Sequence, residues 1–343
     1  MISVEIGKNE QNQRLDKFLR KYLENAPLSF IYKAIRKDVK VNGKRGREDT
    51  VLTQGDIVSL YISEEDLEKF RKKRTSRRVR RQFQIAYEDE NILAAVKPLG
   101  LLTHGDSREK KNHLANQVVD YLIEEGKYNP RLEKTFTPAP VNRLDRNTTG
   151  LVLFGKNNPS LQTLNEMIRE KNMVRKFYVT IVCGHMKTPL HLRSRMVKDE
   201  EANRITVLPE ETEEADGYRT DELKQSLSGK EMETMARPLA FGSYKGRSYT
   251  LVEVEIVTGR THQIRAHLAK AGFPILGDAK YGNQKENQAA HRDFRISSQL
   301  LHACRLSFRQ GMGALSYLTG LEIEAELPSG FERIKREIFE QDE

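Results

Sequence analysis

The sequence predicts a mixed α+β protein in which a small N-terminal α/β domain precedes a larger α+β domain. A chain of 343 residues is too long for one ordinary domain and fits one small and one large domain. Residues 14–62 carry two helical stripes and a hairpin pattern, whereas strand-like and helical segments alternate from Phe83 onward. Between them lies a run of cations with few apolar side chains. We therefore predict domains at 1–62 and 83–343, joined by a basic linker at 63–82.

The N-terminal domain is predicted from the spacing of its apolar residues. "QRLDKFLRKYLE" and "SFIYKAIRKD" each place apolar side chains on one helical face, and Pro27 separates them. We expect Ser29 to cap the second helix. "VNGK" predicts a hairpin turn, and "VLTQGDIVSLYI" a closing strand. The second helix presents three cations, Lys33, Arg36 and Lys37, which we expect to contact the phosphates of a polyanionic partner.

The linker "EKFRKKRTSRRVRRQ" is almost entirely cationic, so we expect it to be flexible and solvated. Such a run is often only a spacer. Its position between two other basic segments favours contact with phosphates.

The larger domain begins with two apolar strands in "FQIAYEDENILAAVKPLG", followed by an amphipathic helix in "HLANQVVDYLIEEG". "GLVLFGKN" predicts a buried strand, "SLQTLNEMIREKN" a helix, and "RKFYVTIVCG" and "SYTLVEVEIVTG" further strands. "RTHQIRAHLAKAG" predicts a short helix ended by Gly272. The acidic, turn-rich stretch 198–233 is predicted to be an exposed insertion.

Charge and composition restrict the class of protein. The net charge of +9 favours polyanionic partners through phosphate contacts and counterion release. Two cysteines exclude a disulfide framework and a cysteine-rich zinc site. No apolar run is long enough to span a membrane, and the first residues lack the pattern of a secretory signal. We therefore expect a cytoplasmic protein without a membrane partner.

The stretch "NRLDRNTTGLVLFGKN", residues 142–157, has two interpretations. Gly150, Gly155 and Lys156 are spaced almost as in a phosphate-binding P-loop. The bulky interior "LVLF" cannot expose backbone N–H groups as that loop must, and Asn157 replaces the magnesium-binding hydroxyl. We therefore interpret "GLVLFGKN" as a core strand and reject a nucleotide-hydrolysing function.

A metal site is not predicted either. His262 and His267 are five residues apart and do not share a helix face as ligands three or four apart would. The remaining histidines have no cysteine or acidic partner at ligand spacing. We expect no catalytic metal.

Asp145, between two arginines and ahead of the core strand, is either half of a structural ion pair or a reactive carboxylate. From spacing alone the structural interpretation is the more common one. "TGRTHQIRAH" changes this balance, because Arg260 and Arg265 follow a glycine turn and are able to converge on a nearby acid. In "RKFYVT", alternation places Lys176 and Tyr178 on one face of a strand, where the tyrosine ring is available to stack on a base.

These motifs together resemble the RluA-type pseudouridine synthases. "NRLDRNTTGLVLFGKN", "RKFYV", "TGRTHQIRAHL" with "GDAKYG", and "LHACRLSF" occur in the order found in that family, and residues 13–45 resemble the alpha-L RNA-binding domain that often precedes it. The resemblance covers nearly the whole chain. It implies a mainly antiparallel mixed sheet in the catalytic domain and conversion of uridine in RNA to pseudouridine without a cofactor or metal.

The resemblance also implies roles for individual residues. Asp145 matches the essential aspartate, which either attacks the sugar or deprotonates it. Tyr178 matches the tyrosine that packs on the target base, and Arg265 the basic residue that pairs with the aspartate. Arg143 matches an arginine that occupies the space left by a flipped nucleotide. We add Arg260 and Lys176 as RNA-binding residues. Base flipping costs ~a few kcal/mol, of which a stacked ring returns ~1–3 kcal/mol.

Several questions stay open at this point. The domain pairing favours large-subunit ribosomal RNA as substrate, with transfer RNA as the alternative and no obligatory protein partner. A catalytically silent RNA-binding or ribosome-assembly factor would share the basic features, but the presence of Asp145, Tyr178 and Arg265 counts against it. Relatives commonly carry histidine where this chain has Asn142, which cannot be cationic. We expect Asp278 and His302 to be structural.

Overall fold

The structure is a computed structural model that describes residues 1–70, 79–130, 132–199, 204–208 and 229–340. Its α-helices are α1 (Leu15–Tyr22), α2 (Leu28–Lys37), α3 (Glu64–Phe70), α4 (Leu114–Glu124), α5 (Asn158–Arg169), α6 (Gln263–Lys270), α7 (Gln284–Phe294) and α8 (Ser329–Phe339). A 3₁₀ helix spans Gly313–Leu318.

The strands fall into two groups along the chain. The N-terminal group is β1 (Ile2–Glu5), β2 (Gln13–Arg14), β3 (Val39–Val41), β4 (Lys44–Arg45), β5 (Val51–Leu52) and β6 (Ile57–Leu60). The second group is β7 (Gln84–Glu88), β8 (Ile92–Lys97), β9 (Ala139–Pro140), β10 (Thr149–Gly155), β11 (Val174–Cys183), β12 (Leu190–Asp199), β13 (Arg204–Val207), β14 (Lys230–Tyr244), β15 (Arg247–Ile256), β16 (Leu301–Phe308) and β17 (Glu322–Glu324).

The N-terminal unit is a four-stranded sheet in the order β1-β6-β3-β4, packed against α1 and α2. The predicted hairpin turn is present, since Asn42 and Gly43 both have positive φ and connect β3 to β4. The predicted capping residue is wrong. Helix α2 starts directly after Pro27 with no side-chain cap, because proline already provides a φ compatible with a helix start.

The first part of the predicted linker is not flexible. Residues 64–70 form α3, and its Phe70 is buried against the N-terminal core with its ring 4.6 Å from that of Phe30. The two apolar residues of this helix, Leu67 and Phe70, pack on the N-terminal core. The predominantly charged composition of the segment did not predict this packing. The prediction for residues 71–78 lies outside the described residues.

The larger unit is built on one sheet in the order β13-β12-β14-β15-β11-β16-β10-β8-β7, with β9 on β10 and β17 on β16. Among the described strands, β10 pairs with β16 in parallel at Gly150 and Ala303, and the other pairings of this sheet are antiparallel. The predicted α+β class with a mainly antiparallel sheet is confirmed. Strand β10 is buried along its whole length, so the interpretation of "GLVLFGKN" as a core strand is also confirmed.

Helices cover both faces of this sheet. Helices α4 and α6 pack on one face through Leu114, Val118 and Leu268. Helix α5 and the 3₁₀ helix cover another part through Leu164 and Leu315. Helix α6 also contacts β13 and β14, and it carries part of the site described below.

The predicted exposed insertion at 198–233 is wrong at both of its ends. Residues 204–207 form β13, residues 230–233 begin β14, and Ile205 and Met232 are buried in a small cluster with Ala266 of α6. The acidic residues of the stretch dominated its composition and hid these isolated apolar positions. Residues 209–228 lie outside the described part of the chain.

The two units contact each other at Asn9. Its side chain donates to the carboxylate of Glu133 at 2.8 Å and accepts from the backbone N–H of Asn158 at 3.0 Å. Among the helices of the described ranges, none has the length and apolar character that crossing a membrane requires.

Candidate active site

Asp145 lies on the loop between β9 and β10, and both sides of this loop are fixed by hydrogen bonds. The side-chain amide of Asn142 accepts from the backbone N–H of Leu153 at 2.8 Å and donates to the carbonyl of Leu151 at 3.2 Å. Thr103 Oγ1 accepts from Leu144 N at 3.2 Å and donates to Leu144 O at 3.0 Å. Asn142 therefore extends the pairing on β10, which needs a neutral donor and acceptor and no charge.

Arg265 on α6 joins Asp145 to a second carboxylate. Its Nη1 donates to Asp145 Oδ2 at 3.0 Å, while Nε and Nη2 donate to the two oxygens of Asp278 at 2.7 and 2.9 Å. The side chain of Asp278 is fully buried and that of Asp145 is 28% exposed. The two carboxylates thus share one cation, and only Asp145 is accessible to a ligand.

Asp278 is held by more than the arginine. The backbone N–H groups of Lys280 and Tyr281 both donate to its Oδ1. Burial tends to raise the pKa of Asp278, but Arg265 and these N–H groups outweigh it and hold the pKa below its usual value. Asp278 is therefore a permanent anion that orients Arg265, which agrees with the structural role expected for it.

His262 precedes α6 and lies beside the same carboxylate, with Nε2 3.7 Å from Asp145 Oδ2. Its Nδ1 is 3.0 Å from the hydroxyl of Tyr281, which also accepts from the backbone N–H of Ile205 at 2.8 Å. The ring of Tyr281 lies 5.3 Å from the guanidinium of Arg265. Neither His262 nor Tyr281 was predicted as a site residue.

Lys97, at the end of β8, is fully buried beneath the loop of Asp145. Its ammonium donates to the carbonyls of Pro98, Leu101 and Arg146 at 3.1, 2.8 and 3.0 Å, which uses all three of its N–H donors. Burial lowers the pKa of Lys97 to about 7, and the negative charge of Asp145 opposes this change. Lys97 therefore ties two segments of the site together from below.

Tyr178 on β11 is almost completely buried. Burial raises the pKa of its hydroxyl, and the charge of Asp145 adds to the rise, so the phenol is neutral near pH 7. A β-bulge between Phe177 and Tyr178 alters the alternation of β11 at this point. The structure thus brings Tyr178, Asp145 and Arg265 into one region.

The remaining predicted residues of the larger unit are more scattered. Arg143 is exposed. The pKa of His104 is lowered mainly by burial and further by the positive charge of Arg143. Arg260 is also exposed, and its Nε donates to the carbonyl of Glu231 at 3.1 Å. Of the two arginines expected to converge on the acid, Arg265 contacts it. Lys176 is buried, and this burial lowers its pKa.

The three cations predicted in the N-terminal unit, Lys33, Arg36 and Lys37, are all exposed on α2. Arg45, on the neighbouring hairpin, donates to the carbonyl of Arg36. Within the described ranges, no three or more His, Cys, Asp or Glu side chains are grouped so as to hold a metal ion.

Three residues of the site were missed by the sequence reasoning, and each had a weak signal. Lys97 precedes Pro98 at the end of an apolar strand. Burying a charged residue there is unfavourable unless its ammonium donates to backbone carbonyls. His262 was considered only as a metal ligand. Tyr281 lies in "GDAKYG", a motif that was noted for the resemblance and given no role.

The fold has a counterpart among solved structures. A structure of human RNA Pseudouridylate Synthase Domain Containing 4 superposes with a TM-score of 0.55 and 22% identity, covering 74% of this chain and 92% of that one. The mixed sheet with its flanking helices is therefore the fold of a pseudouridylate synthase domain.

Sequence comparison defines the family. Residues 91–270 match the RNA pseudouridylate synthase family. Ribosomal large subunit pseudouridine synthase C of Escherichia coli (strain K12) is 32% identical over 340 residues, which cover 96% of this chain and 94% of that protein. The enzyme with the same name from Vibrio vulnificus is 30% identical over 309 residues, 89% of this chain and 87% of that protein. The chain belongs to the RNA pseudouridylate synthase family, as the resemblance predicted, and it is an isomerase that converts uridine in RNA to pseudouridine.

Proposed function

We propose that this enzyme converts one or more uridines of large-subunit ribosomal RNA to pseudouridine, with Asp145 as its essential carboxylate. The reaction breaks the bond between C1′ and N1, joins C1′ to C5, releases the C5 proton and protonates N1. It is redox-neutral. Support for the substrate comes from the curated relatives, whose names specify the ribosomal large subunit and which align with nearly the whole chain. A ribosomal substrate would place the enzyme in the cytoplasm.

The observation that carries the role of Asp145 is its asymmetric pairing with Arg265. One carboxylate on this arginine, Asp278, is fully buried and saturated with donors, while Asp145 accepts one side-chain hydrogen bond and stays 28% exposed. An anion beside a buried cation, yet open on one side, is suited to act on a sugar carbon or its hydrogen. The neutral ring of Tyr178 nearby offers a face for the flipped base.

RNA binding would be shared between the two units. Arg143 and Arg260 are exposed and would contact RNA phosphates, whereas the burial of Lys176 makes it the weakest of the proposed RNA-binding residues. Lys33, Arg36 and Lys37 form an exposed cationic face on α2. Changing these three to glutamate should weaken RNA binding. It should also reduce the slope of log K against log[salt] by about 0.7 to 0.9 per lost phosphate contact.

The role of Asp145 is tested by Asp145→Asn, which keeps the shape and removes the basic oxygen. With an unmodified transcript of E. coli large-subunit ribosomal RNA labelled with [5-³H]uridine, tritium release should fall by about 10³-fold or more while RNA binding persists. The matched control is Asp106→Asn, because Asp106 is an exposed carboxylate that pairs with Arg146, the residue after Asp145. Conversion by Asp145→Asn at the normal rate would refute the assignment.

The substrate is tested by mapping pseudouridines in total RNA from cells with and without the gene. Loss of sites in large-subunit ribosomal RNA is the expected result. Loss confined to transfer RNA would replace the proposed substrate by the alternative one.

A further inference from the structure

The backbone of His262 is held in an uncommon conformation next to the proposed catalytic carboxylate. Its φ and ψ of 51° and 19° lie in the left-handed region, which costs a non-glycine residue about 1 kcal/mol or more. The following residue, Gln263, starts α6, and Gln263 is anchored to the backbone of Glu233 and to Thr234. The fold therefore holds the imidazole of His262 in place beside Asp145 rather than leaving it to a mobile loop.

The Asp145 carboxylate and the Tyr281 hydroxyl together favour the proton of His262 on Nε2. The Tyr281 hydroxyl accepts from Ile205 N, and the Asp145 carboxylate lies on the Nε2 side of the imidazole. A proton on Nε2 faces that anion favourably, whereas a lone pair there would be repelled by it. The hydroxyl of Tyr281 then donates its own proton to Nδ1 at 3.0 Å. His262 is thus a neutral ring whose Nε2–H points toward Asp145.

The charges around His262 leave this neutral form intact. Burial is the main cause that lowers the pKa of His262; Arg265 and Lys280 also lower it, whereas Asp145 and Asp278 raise it. The ring therefore carries one N–H near pH 7 and acts as a fixed hydrogen-bond donor.

The donor is close to Asp145 but not bound to it. A separation of 3.7 Å exceeds the length of a hydrogen bond, and Nε2 makes none with any residue in the described part of the chain. Whether Asp145 attacks C1′ or removes the hydrogen of C2′, its reactive oxygen lies against those two carbons. The 2′-oxygen is bonded to C2′ and the ring oxygen O4′ to C1′, so these are the two sugar acceptors nearest to a donor at this position. Of the two, the 2′-hydroxyl is the stronger acceptor, because O4′ belongs to the acetal of the ring.

We propose that His262 donates a hydrogen bond from Nε2 to the 2′-hydroxyl of the target uridine, and that Tyr281 is the positioning residue that keeps the proton on Nε2. This inference rests on the proposed role of Asp145, because that role places the sugar. It gives the site a means of distinguishing ribose from deoxyribose at the flipped nucleotide.

The first test is a set of variants assayed by single-turnover tritium release from the same transcript. His262→Ala removes the donor and should slow conversion about 10- to 100-fold. His262→Gln retains a neutral donor of similar reach and should recover most of this loss, with an unchanged pH profile. Both replacements bear a similar left-handed backbone cost. The alanine also removes the packing of the ring on Tyr281, so the urea midpoints of both variants are compared to separate the loss of the donor from the loss of packing.

Tyr281 is tested by a double-mutant cycle, since its ring also contacts Arg265. Tyr281→Phe should slow the His262 enzyme about fivefold, the size of one neutral hydrogen bond. It should have no further effect in the His262→Gln enzyme, which has no tautomer to fix. An equal effect of Tyr281→Phe in both backgrounds would refute the positioning role.

The 2′-hydroxyl itself is tested by binding, which does not require turnover. An RNA fragment containing the mapped uridine is compared with one that carries 2′-deoxyuridine there, both in the Asp145→Asn background. The ribose form should bind about tenfold more tightly, and His262→Ala should abolish this preference. A preference that survives His262→Ala would overturn the proposal. Activity of Asp145→Asn would instead overturn the proposed function, so the two failures are distinguishable.

Discussion

Replacing Asp278 by asparagine should destabilise the protein far more than the same replacement at Asp145, although both carboxylates bind Arg265. The carboxylate of Asp278 is fully buried and accepts two hydrogen bonds from the guanidinium and two from backbone N–H groups. Asparagine would turn an NH₂ group toward the guanidinium and leave the buried cation with only the partly exposed Asp145 as its anion. Breaking a buried pair in this way costs about 3–5 kcal/mol of unfolding free energy.

The same change at Asp145 acts on an exposed partner. Its carboxylate accepts one hydrogen bond from Arg265 and is 28% exposed, so water compensates for the lost charge. We expect Asp145→Asn to change the unfolding free energy by no more than about 1 kcal/mol. Asp145→Asn is therefore the control for Asp278→Asn, because it makes the same substitution at the other carboxylate that binds Arg265.

Urea unfolding followed by circular dichroism measures both changes. With an m-value of about 3 kcal/mol per molar, Asp278→Asn should lower the midpoint by about 1 M or more and leave the slope unchanged. Its residual activity should be reduced about 10- to 100-fold, because Arg265 no longer has a fixed orientation. Equal midpoints for the two variants would refute the argument that burial and hydrogen-bond number separate the two carboxylates.

Three further outcomes follow from the structure. The buried His267 has a pKa lowered to about 4, so the unfolded chain binds more protons between pH 6.5 and 4. Stability should therefore fall by about 3 kcal/mol as the pH drops through this window, and urea titrations of His267→Gln should show a correspondingly smaller fall. Lys97→Met removes the donor from the carbonyls of Pro98 and Leu101 and one of two donors from that of Arg146, and should cost about 2 kcal/mol or more in urea unfolding. An unchanged midpoint would contradict the role of its ammonium. Asn142→Ala should cost about 1–2 kcal/mol and slow tritium release, whereas wild-type values in both assays would show that its hydrogen bonds to β10 are dispensable.

Local patterns predicted most of the elements because each depends on neighbours in the sequence. The buried strand β10 and the turn at Asn42 and Gly43 follow from apolar spacing and turn chemistry alone. Composition gave wrong predictions for the first part of the linker and for both ends of the insertion, because a few apolar residues lay within each charged stretch. Phe70 in the cationic segment and Ile205 in the acidic one are buried against partners distant in the sequence, which periodicity cannot detect.

The candidate site was predictable to the extent that motifs carry it. The contact of Arg265 with Asp145 spans 120 residues, so spacing could only offer it as an option and the family resemblance made it an expectation. Lys97 and the pair of His262 and Tyr281 depend on how β8, β13 and α6 meet in space. The sequence around each of these residues does not predict these contacts, because the partners are distant in the sequence and each residue alone is an ordinary polar side chain.

The position of Asp145 is set by the core and not by its ion pair. Gly150 has a φ of 108°, and a Cβ there would overlap the carbonyl oxygen of Ala303, so only glycine permits β10 to lie beside β16 in parallel. The loop before Gly150 is then fixed by the amide of Asn142 and, through the carbonyl of Arg146, by the ammonium of Lys97. Because these restraints act on the backbone, removing Arg265 would change the charge beside Asp145 more than its place. The site thus separates the two requirements of its chemistry, with the sheet providing position and α6 providing electrostatics.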